Sequence, residues 1–131
     1  LRLLLDTHLA LWALTDDPRL SDAARALILD PANEVCVSAA SLWEIAIKHG
    51  LGREGPSAMP VSAHEAQILF AAAGFTLVPV TPDQVVIVET LPRLHADPFD
   101  RLLVAQGLTE GLVLVTHDAV VAAYNGRIVQ V

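Results

Sequence analysis

Val35-Cys36-Val37-Ser38-Ala39-Ala40-Ser41-Leu42-Trp43-Glu44-Ile45-Ala46-Ile47-Lys48 changes its period part-way along. Residues 35–37 are a short run that is apolar on both faces, as a central parallel strand is. From about Ala39 to His49 the spacing becomes helical, and it stops near Gly50 and Gly52. The same alternation runs along the whole chain. Leu3–Leu5, Thr76–Val78, Leu112–Val115 and Ile128–Val131 read as further strands, the last interrupted by Gln130. Helical patterns cover about His8–Leu14, Ser21–Leu29, Ala63–Ala73 and Phe99–Glu110. Another opens at Thr81-Pro82-Asp83-Gln84, with Pro at the first helical position and Gln three after the cap, and a short last one opens at or after Asp118. Strand–helix alternation predicts an α/β fold with a parallel sheet, helices on both faces and right-handed crossovers, formed as one domain over residues 1–131.

The helix at 39–49 is apolar through Ala39, Ala40, Leu42, Trp43, Ile45, Ala46 and Ile47, which predicts burial nearly all round. Ser38, Ser41, Glu44 and Lys48 are the exceptions, and at 100° per residue they share about 120° of arc. A polar stripe on a buried helix faces a polar site or a wet interface. Ser41-x-x-Glu44 also fits a capping box, which would start the helix at Ser41 and leave 38–40 as a loop.

Other acids stand where packing gives no reason for them. Asp6 is the first residue after Leu3-Leu4-Leu5, and Asp118 lies three residues past Val115. Ligands of open parallel sheets bind beyond the carboxyl ends of the strands, so these two acids meet if strands one and four are neighbours. Asp100 shares a helix face with Leu103, Val104 and Gly107, the face expected to pack inward. An acid in a first helical turn is also favoured by the helix dipole, and Asp97, just before Pro98, fits a simple cap. Four converging carboxylates repel unless protonated or metal-bound. All-oxygen ligation by acids selects Mg²⁺ or Mn²⁺, one or two ions per site, and that chemistry acts on phosphate esters.

The 131 residues are 53% hydrophobic and only 18% charged, which predicts surplus apolar surface and an oligomer or a permanent partner. The net charge of −7 argues against binding nucleic acid through the overall field. That objection weakens if several acids belong to one metal site, because bound divalent ions and a local basic rim then carry the attraction. Lys48, Arg53, Arg93 and Arg101 are the basic residues nearest the acids in sequence, read as a group as candidates for holding RNA phosphates and singly as solvated charges or, for Arg101, a partner of a nearby acid. Cys36 is the single cysteine, expected to be a buried small apolar residue. The first apolar run stops at Asp6, too short for a secretory signal, and Gly74, Pro79 and Pro82 break the uncharged stretch 67–82. A cytoplasmic protein with no membrane span is therefore expected. His8, His95 and His117 lie within two residues of Asp6, Asp97 and Asp118 and read either as ligands or proton relays or as packed histidines. Trp12, Trp43 and Phe99 read as core or interface anchors. The segment 50–60 holds three Gly and two Pro and is expected to be the most mobile.

Four runs resemble the PIN-domain toxins of VapBC toxin–antitoxin modules. They are Leu3-Leu4-Leu5-Asp6-Thr7-His8-x-x-Leu11-Trp12, Ser38-x-x-Ser41-Leu42-Trp43-Glu44-Ile45-x-Ile47-Lys48, Leu91-Pro92-x-x-His95-x-Asp97-Pro98-Phe99-Asp100-Arg101-Leu102-Leu103-x-Ala105-Gln106, and Thr116-x-Asp118. The third is the most specific, and together they span nearly the whole chain in order. The resemblance implies a five-stranded parallel sheet of order 3-2-1-4-5 with about seven helices. It implies a Mg²⁺- or Mn²⁺-dependent endoribonuclease that cuts tRNA or rRNA loops in a prokaryotic cytoplasm. It further implies a homodimer, held in a hetero-oligomer by a VapB-type antitoxin whose C-terminal segment covers the site. The family's acids fall on Asp6, Glu44, Asp100 and Asp118, as metal ligands and catalytic residues. Asp97, Thr7, Ser41 and Thr116 are then expected to orient those ligands. The alternative is a PIN-like RNA- or partner-binding regulator without activity. Asp83-Gln84 stands where many relatives carry His, and Gly52-Arg53-Glu54-Gly55-Pro56 lacks the usual Gly-Lys-Leu.

Overall fold

A computed structural model describes residues 1–131. The elements run β1 (Arg2–Leu5), α1 (Thr7–Thr15), α2 (Asp22–Leu29), β2 (Glu34–Ser38), α3 (Ala39–Gly50), a single 3₁₀ turn (Gly55–Ser57), α4 (Ala63–Ala72), β3 (Thr76–Val78), α5 (Pro82–Val88), α6 (Pro98–Glu110), β4 (Val113–Thr116), α7 (Ala119–Ala122) and β5 (Ile128–Gln130). The five strands form one sheet of order β3-β2-β1-β4-β5, and every neighbouring pair is parallel. The predicted α/β class, strand order and helix number all hold.

Alternate strand residues feed two cores. Leu3, Leu5, Val35, Val37, Val113 and Val115 pack on one face with Leu9, Ala24, Ala66 and Phe70. Leu4, Cys36, Val78 and Leu114 pack on the other with Leu103, Val104, Val121 and Tyr124. A strand buried on both faces has no polar side to show, so these runs carry none. Helix starts follow local chemistry. Ser21 and Ser62 cap α2 and α4, and Thr81 with Gln84 forms the predicted box at α5. Gly111, at φ 65°, closes α6 in the left-handed conformation and turns the chain into β4.

Ser38 caps α3 by accepting from the Ala40 N–H, so the helix begins at Ala39 and Ser41 is not its cap. The capping-box reading of Glu44 is therefore corrected. So is burial all round: Trp43 is 61% and Ile47 44% exposed. Helix α3 packs one side under the sheet and shows another to solvent. Val85 and Val86 of α5 are also exposed, and Trp43, Val85 and Val88 line an apolar groove between the two helices. No helix is long and apolar enough to cross a membrane.

Candidate active site

Because β1 and β4 are neighbours, Asp6 and Asp118 leave the sheet at the same edge. The Asp6 N–H continues the β1–β4 ladder by donating to the Val115 carbonyl (3.0 Å). Its carboxylate then caps α1, accepting from the Leu9 N–H at 2.8 Å. The other oxygen accepts from the Thr116 hydroxyl at 2.7 Å and from the His117 N–H at 3.3 Å. Asp118 caps α7 through the N–H groups of Val120 and Val121. Thr116 ties the two acids together, since its Oγ1 donates to Asp6 and accepts the Asp118 N–H at 3.0 Å. A Thr at a strand end thus sets the relative position of two carboxylates.

The remaining acids come from helices. Glu44 is 3% exposed on the inner side of α3, and its Oε2 lies 2.6 Å from the Lys48 ammonium one turn on. Thr7 and Ser41 share a buried hydroxyl–hydroxyl hydrogen bond of 2.8 Å, which pins α1 beside α3 and so places Asp6 relative to Glu44. Asp97 caps α6 through the N–H groups of Phe99 and Asp100, which aims the first turn and carries Asp100 into the cluster. Three of the acids are thus helix caps, a role the sequence allows for Asp97 and that also falls on Asp6 and Asp118.

Charge crowding shows at Asp100. Its carboxyl is pushed up to about 7, first by burial and then by Asp97, with Asp6 and Glu44 adding to the rise and His95 opposing it. Asp6 is more deeply buried yet lies below the ordinary carboxylate range. Burial alone would raise it, and the hydrogen bonds from His117, the Leu9 N–H and Thr116 together outweigh that. Asp118 is lowered too: burial pushes it up, and His95 with two backbone N–H groups outweighs the push.

Of the three nearby histidines, two touch acids. His117 Nδ1 is 3.4 Å from Asp6, and that hydrogen bond holds the ring above its usual pKa against partial burial. His95 sits deeper in the network. Its Nε2 is 2.9 Å from Asp118 Oδ2 and 3.4 Å from Asp100 Oδ2. These three residues each bring one ligand-type atom within 4.8 Å of the others, which is metal-site spacing. The tautomer decides the role of the imidazole. The Asp97 N–H donates to His95 Nδ1 at 2.9 Å, so the neutral ring carries its hydrogen on Nε2 and gives it to Asp118. The ring is arranged as a donor that orients Asp118, not as a ligand. The Asp118 hydrogen bond and then the charges of Asp100, Asp118 and Asp97 raise its pKa against a small desolvation, while the fixed Asp97 N–H favours the neutral form.

The expected basic rim divides. Arg101 gives its guanidinium to the carbonyls of Val88, Leu91 and Pro92 and to the Tyr124 hydroxyl, which in turn accepts the His95 N–H. It fastens the loop that carries His95. Lys48 is engaged by Glu44, while Arg53 and Arg93 are exposed and make no ion pair. Trp12 is half-buried rather than in the core, with the rings of His117 and His8 at 4.8 and 5.9 Å and the Arg19 guanidinium over it at 5.0 Å. Trp43 is exposed and meets Phe99 edge-on at 5.0 Å. His95 and Arg101 are the residues whose roles the sequence left open or placed elsewhere. Their signal was present, since both sit inside the run 91–106.

The donor set fits a hard divalent cation: carboxylates converge from three helix caps and two helix faces, and burial with neighbouring acids pushes Asp100 up to about 7. Fold and site define an α/β domain with a carboxylate cluster at the carboxyl edge of its sheet. The PIN domain family model matches residues 3–126, and the chain belongs to that family. Over 116 residues the chain is 35% identical to ribonuclease VapC22 of Mycobacterium tuberculosis, covering 88% of this chain and 85% of that protein. The fold is shared with VapBC2 of Rickettsia felis bound to a DNA fragment from its promoter (TM-score 0.68, 14% identity, 99% of this chain and 98% of that one). It is shared also with the sarcin–ricin-loop-cleaving toxin VapC20 of M. tuberculosis (TM-score 0.62, 18% identity, 92% and 93% covered).

Proposed function

We propose that this protein is a VapC-type endoribonuclease, the toxin of a type II toxin–antitoxin pair, working in a prokaryotic cytoplasm. The observation that carries the reading is the grouping of ligand-type atoms of Asp100, Asp118 and His95 within 4.8 Å of one another at the carboxyl edge of the sheet, in a chain 35% identical to a named ribonuclease. Asp6, Glu44, Asp100 and Asp118 would hold Mg²⁺ or Mn²⁺. The chemistry such an ion would supply is activation of water and stabilisation of charge on the phosphate, and its charge would offset the repulsion among the acids. The chain's own residues prepare the site. Thr116, Thr7 and Ser41 hold Asp6 in place, His95 turns Asp118, and Asp97 sets the α6 start that carries Asp100. The VapC20 structure is of a toxin that cleaves a ribosomal RNA loop, and an unpaired loop in rRNA or tRNA is the substrate class proposed here.

Regulation follows from charge. The VapBC2 structure pairs such a toxin with its antitoxin, and the partner proposed for this chain is a VapB-type protein. One of its Arg or Lys side chains would compete with the cation for Asp6, Glu44, Asp100 and Asp118. The exposed Trp43, Ile47, Val85 and Val86 support self-association as a homodimer. The deciding experiment is incubation of total cellular RNA with the protein and Mg²⁺ or Mn²⁺, with 5′ ends mapped. Discrete new ends that vanish in EDTA and with Asp6→Asn support the reading. Intact RNA under all conditions, with RNA still bound, favours the non-catalytic regulator.

A further inference from the structure

Two clefts flank the acid cluster, and the distribution of free positive charge singles them out. The chain has eight Lys and Arg residues. Arg2, Arg19, Arg25 and Lys48 are each paired with an acid, and Arg101 is spent on carbonyls and Tyr124. Arg53, Arg93 and Arg127 have no such partner. Arg127 precedes β5 and so lies at the amino edge of the sheet, away from the acids. Arg93 opens into one cleft beside His95, and Arg53 opens into the other beside His8, Trp12, Arg19 and Lys48.

The Arg53 cleft adjoins the acids through two side chains. Lys48 lines it and reaches Glu44, and His117 bonds Asp6 while packing on Trp12. The cleft holds about 200 Å³, below the range of about 300–1,000 Å³ usual for drug-sized ligands, so it suits one planar group and not a folded segment. Its walls offer flat surfaces, the indole of Trp12, the imidazole of His8 and the guanidinium of Arg19, together with cationic groups at the rim. A nucleotide, a planar base joined through its sugar to a phosphate, meets both features. Asp17 also lines the cleft and pairs with Arg19, and Glu44 engages Lys48, which leaves Arg53 as the cation there without an acid partner.

We propose that this cleft is a base-binding subsite for one unpaired nucleotide of the RNA, adjacent to the phosphodiester held at the acid cluster. The base lies at the wall formed by Trp12, the Arg19 guanidinium over it and His8, and its phosphate is met by Arg53. This rests on the ribonuclease reading and adds that the nucleotide beside the cut must be unstacked. Stacking on an aromatic side chain is sequence-tolerant, which predicts a requirement for an unpaired base before any preference for its identity.

The test uses the full chain and short single-stranded oligoribonucleotides carrying one abasic site at successive positions. In the wild type, one abasic position beside the cut should lower kcat/KM by about 5- to 100-fold. That penalty should disappear in Trp12→Ala and persist in part in Trp12→Phe. Arg53→Ala should raise KM several-fold with little change in kcat. Because Trp12→Ala also removes packing, binding is read separately in an Asp6→Asn, Trp43→Phe protein, whose single indole is Trp12. Intact oligoribonucleotide should quench its fluorescence, and the abasic one should not. If RNA is cleaved but every abasic substrate is cut equally, the subsite is wrong and the ribonuclease reading stands. If no RNA is cleaved yet the intact oligoribonucleotide quenches Trp12, the subsite stands and the ribonuclease reading falls. Quenching by a basic antitoxin peptide but not by RNA would overturn the subsite.

Discussion

Asp6 and Asp100 belong to one cluster and behave in opposite ways. Asp6 is 4% exposed and its pKa is lowered, while the less buried Asp100 is pushed up to about 7. The difference lies in what each region supplies. The β1–β4 edge offers Asp6 a strand-end hydroxyl, a helix N–H and an imidazole. The α6 N-terminus gives its first-turn N–H groups to Asp97 and leaves Asp100 facing other acids. Burial sets how much a charge matters, and donors decide whether it is held. One half of the site has its donors ready-made in the protein, and the other half has few.

The largest expected effect breaks both halves at once. Asp6→Asn and Asp100→Asn should each lower RNA cleavage by at least about a hundredfold, since each removes ligand charge. Far-ultraviolet circular dichroism of the variants should match that of the wild type. Cleavage retained by either variant would remove that acid from the site.

His95→Ala should weaken Mn²⁺ binding by about 10- to 100-fold, the usual cost of losing a group that orients a ligand. His95→Gln, which keeps an N–H donor, should recover part of it. Titration of Mn²⁺ by electron paramagnetic resonance measures both, and equal losses would show that the ring acts by packing alone.

Thr116→Val sharpens the Asp6 side. It leaves a buried carboxylate oxygen and the Asp118 N–H without their shared hydroxyl, and should cost about 1–3 kcal/mol by urea unfolding. A variant as stable as the wild type would show that Leu9 and His117 suffice to hold Asp6.

The smallest effect concerns Asp100 in EDTA. Its folded pKa, about 7, lies above the unfolded value of 3.8, so the folded chain binds more protons between those limits. Stability from this group is therefore present below about pH 4, falls as pH rises towards 7, and is flat beyond. Asp6 and Asp118 run the other way, with stability present above the ordinary carboxylate range and lost as pH falls through it. Asp100→Asn should remove the falling limb and raise stability at neutral pH by about 1–2 kcal/mol, after discounting for its partial exposure. Melting temperatures at about pH 5 and 8 decide it. An unchanged slope would mean that Asp100 is not crowded.

Much of this molecule can be read along its chain because the signals are local. Period changes mark the five strands and seven helices, Thr81 and Gln84 announce their box, and the acids stand out against apolar neighbours. The class of fold needed no tertiary information, whereas the meeting of Asp6 with Asp118 waited on β1 and β4 being neighbours. Other readings failed because they depend on which side of an element faces what. Composition cannot show that α3 turns Trp43 and Ile47 to solvent while Glu44 turns inward, since both faces are rich in apolar residues. Nor can spacing show that Arg101 is consumed by three carbonyls and a tyrosine, or that the Asp97 N–H fixes His95 as a donor. The sequence by itself determined the elements and marked the acids that stand out from apolar runs, because backbone propensity and hydrophobic period act over a few residues. The tertiary structure alone decided which acids have donors, which histidine orients them and which arginines are free, because those depend on groups brought from distant parts of the chain.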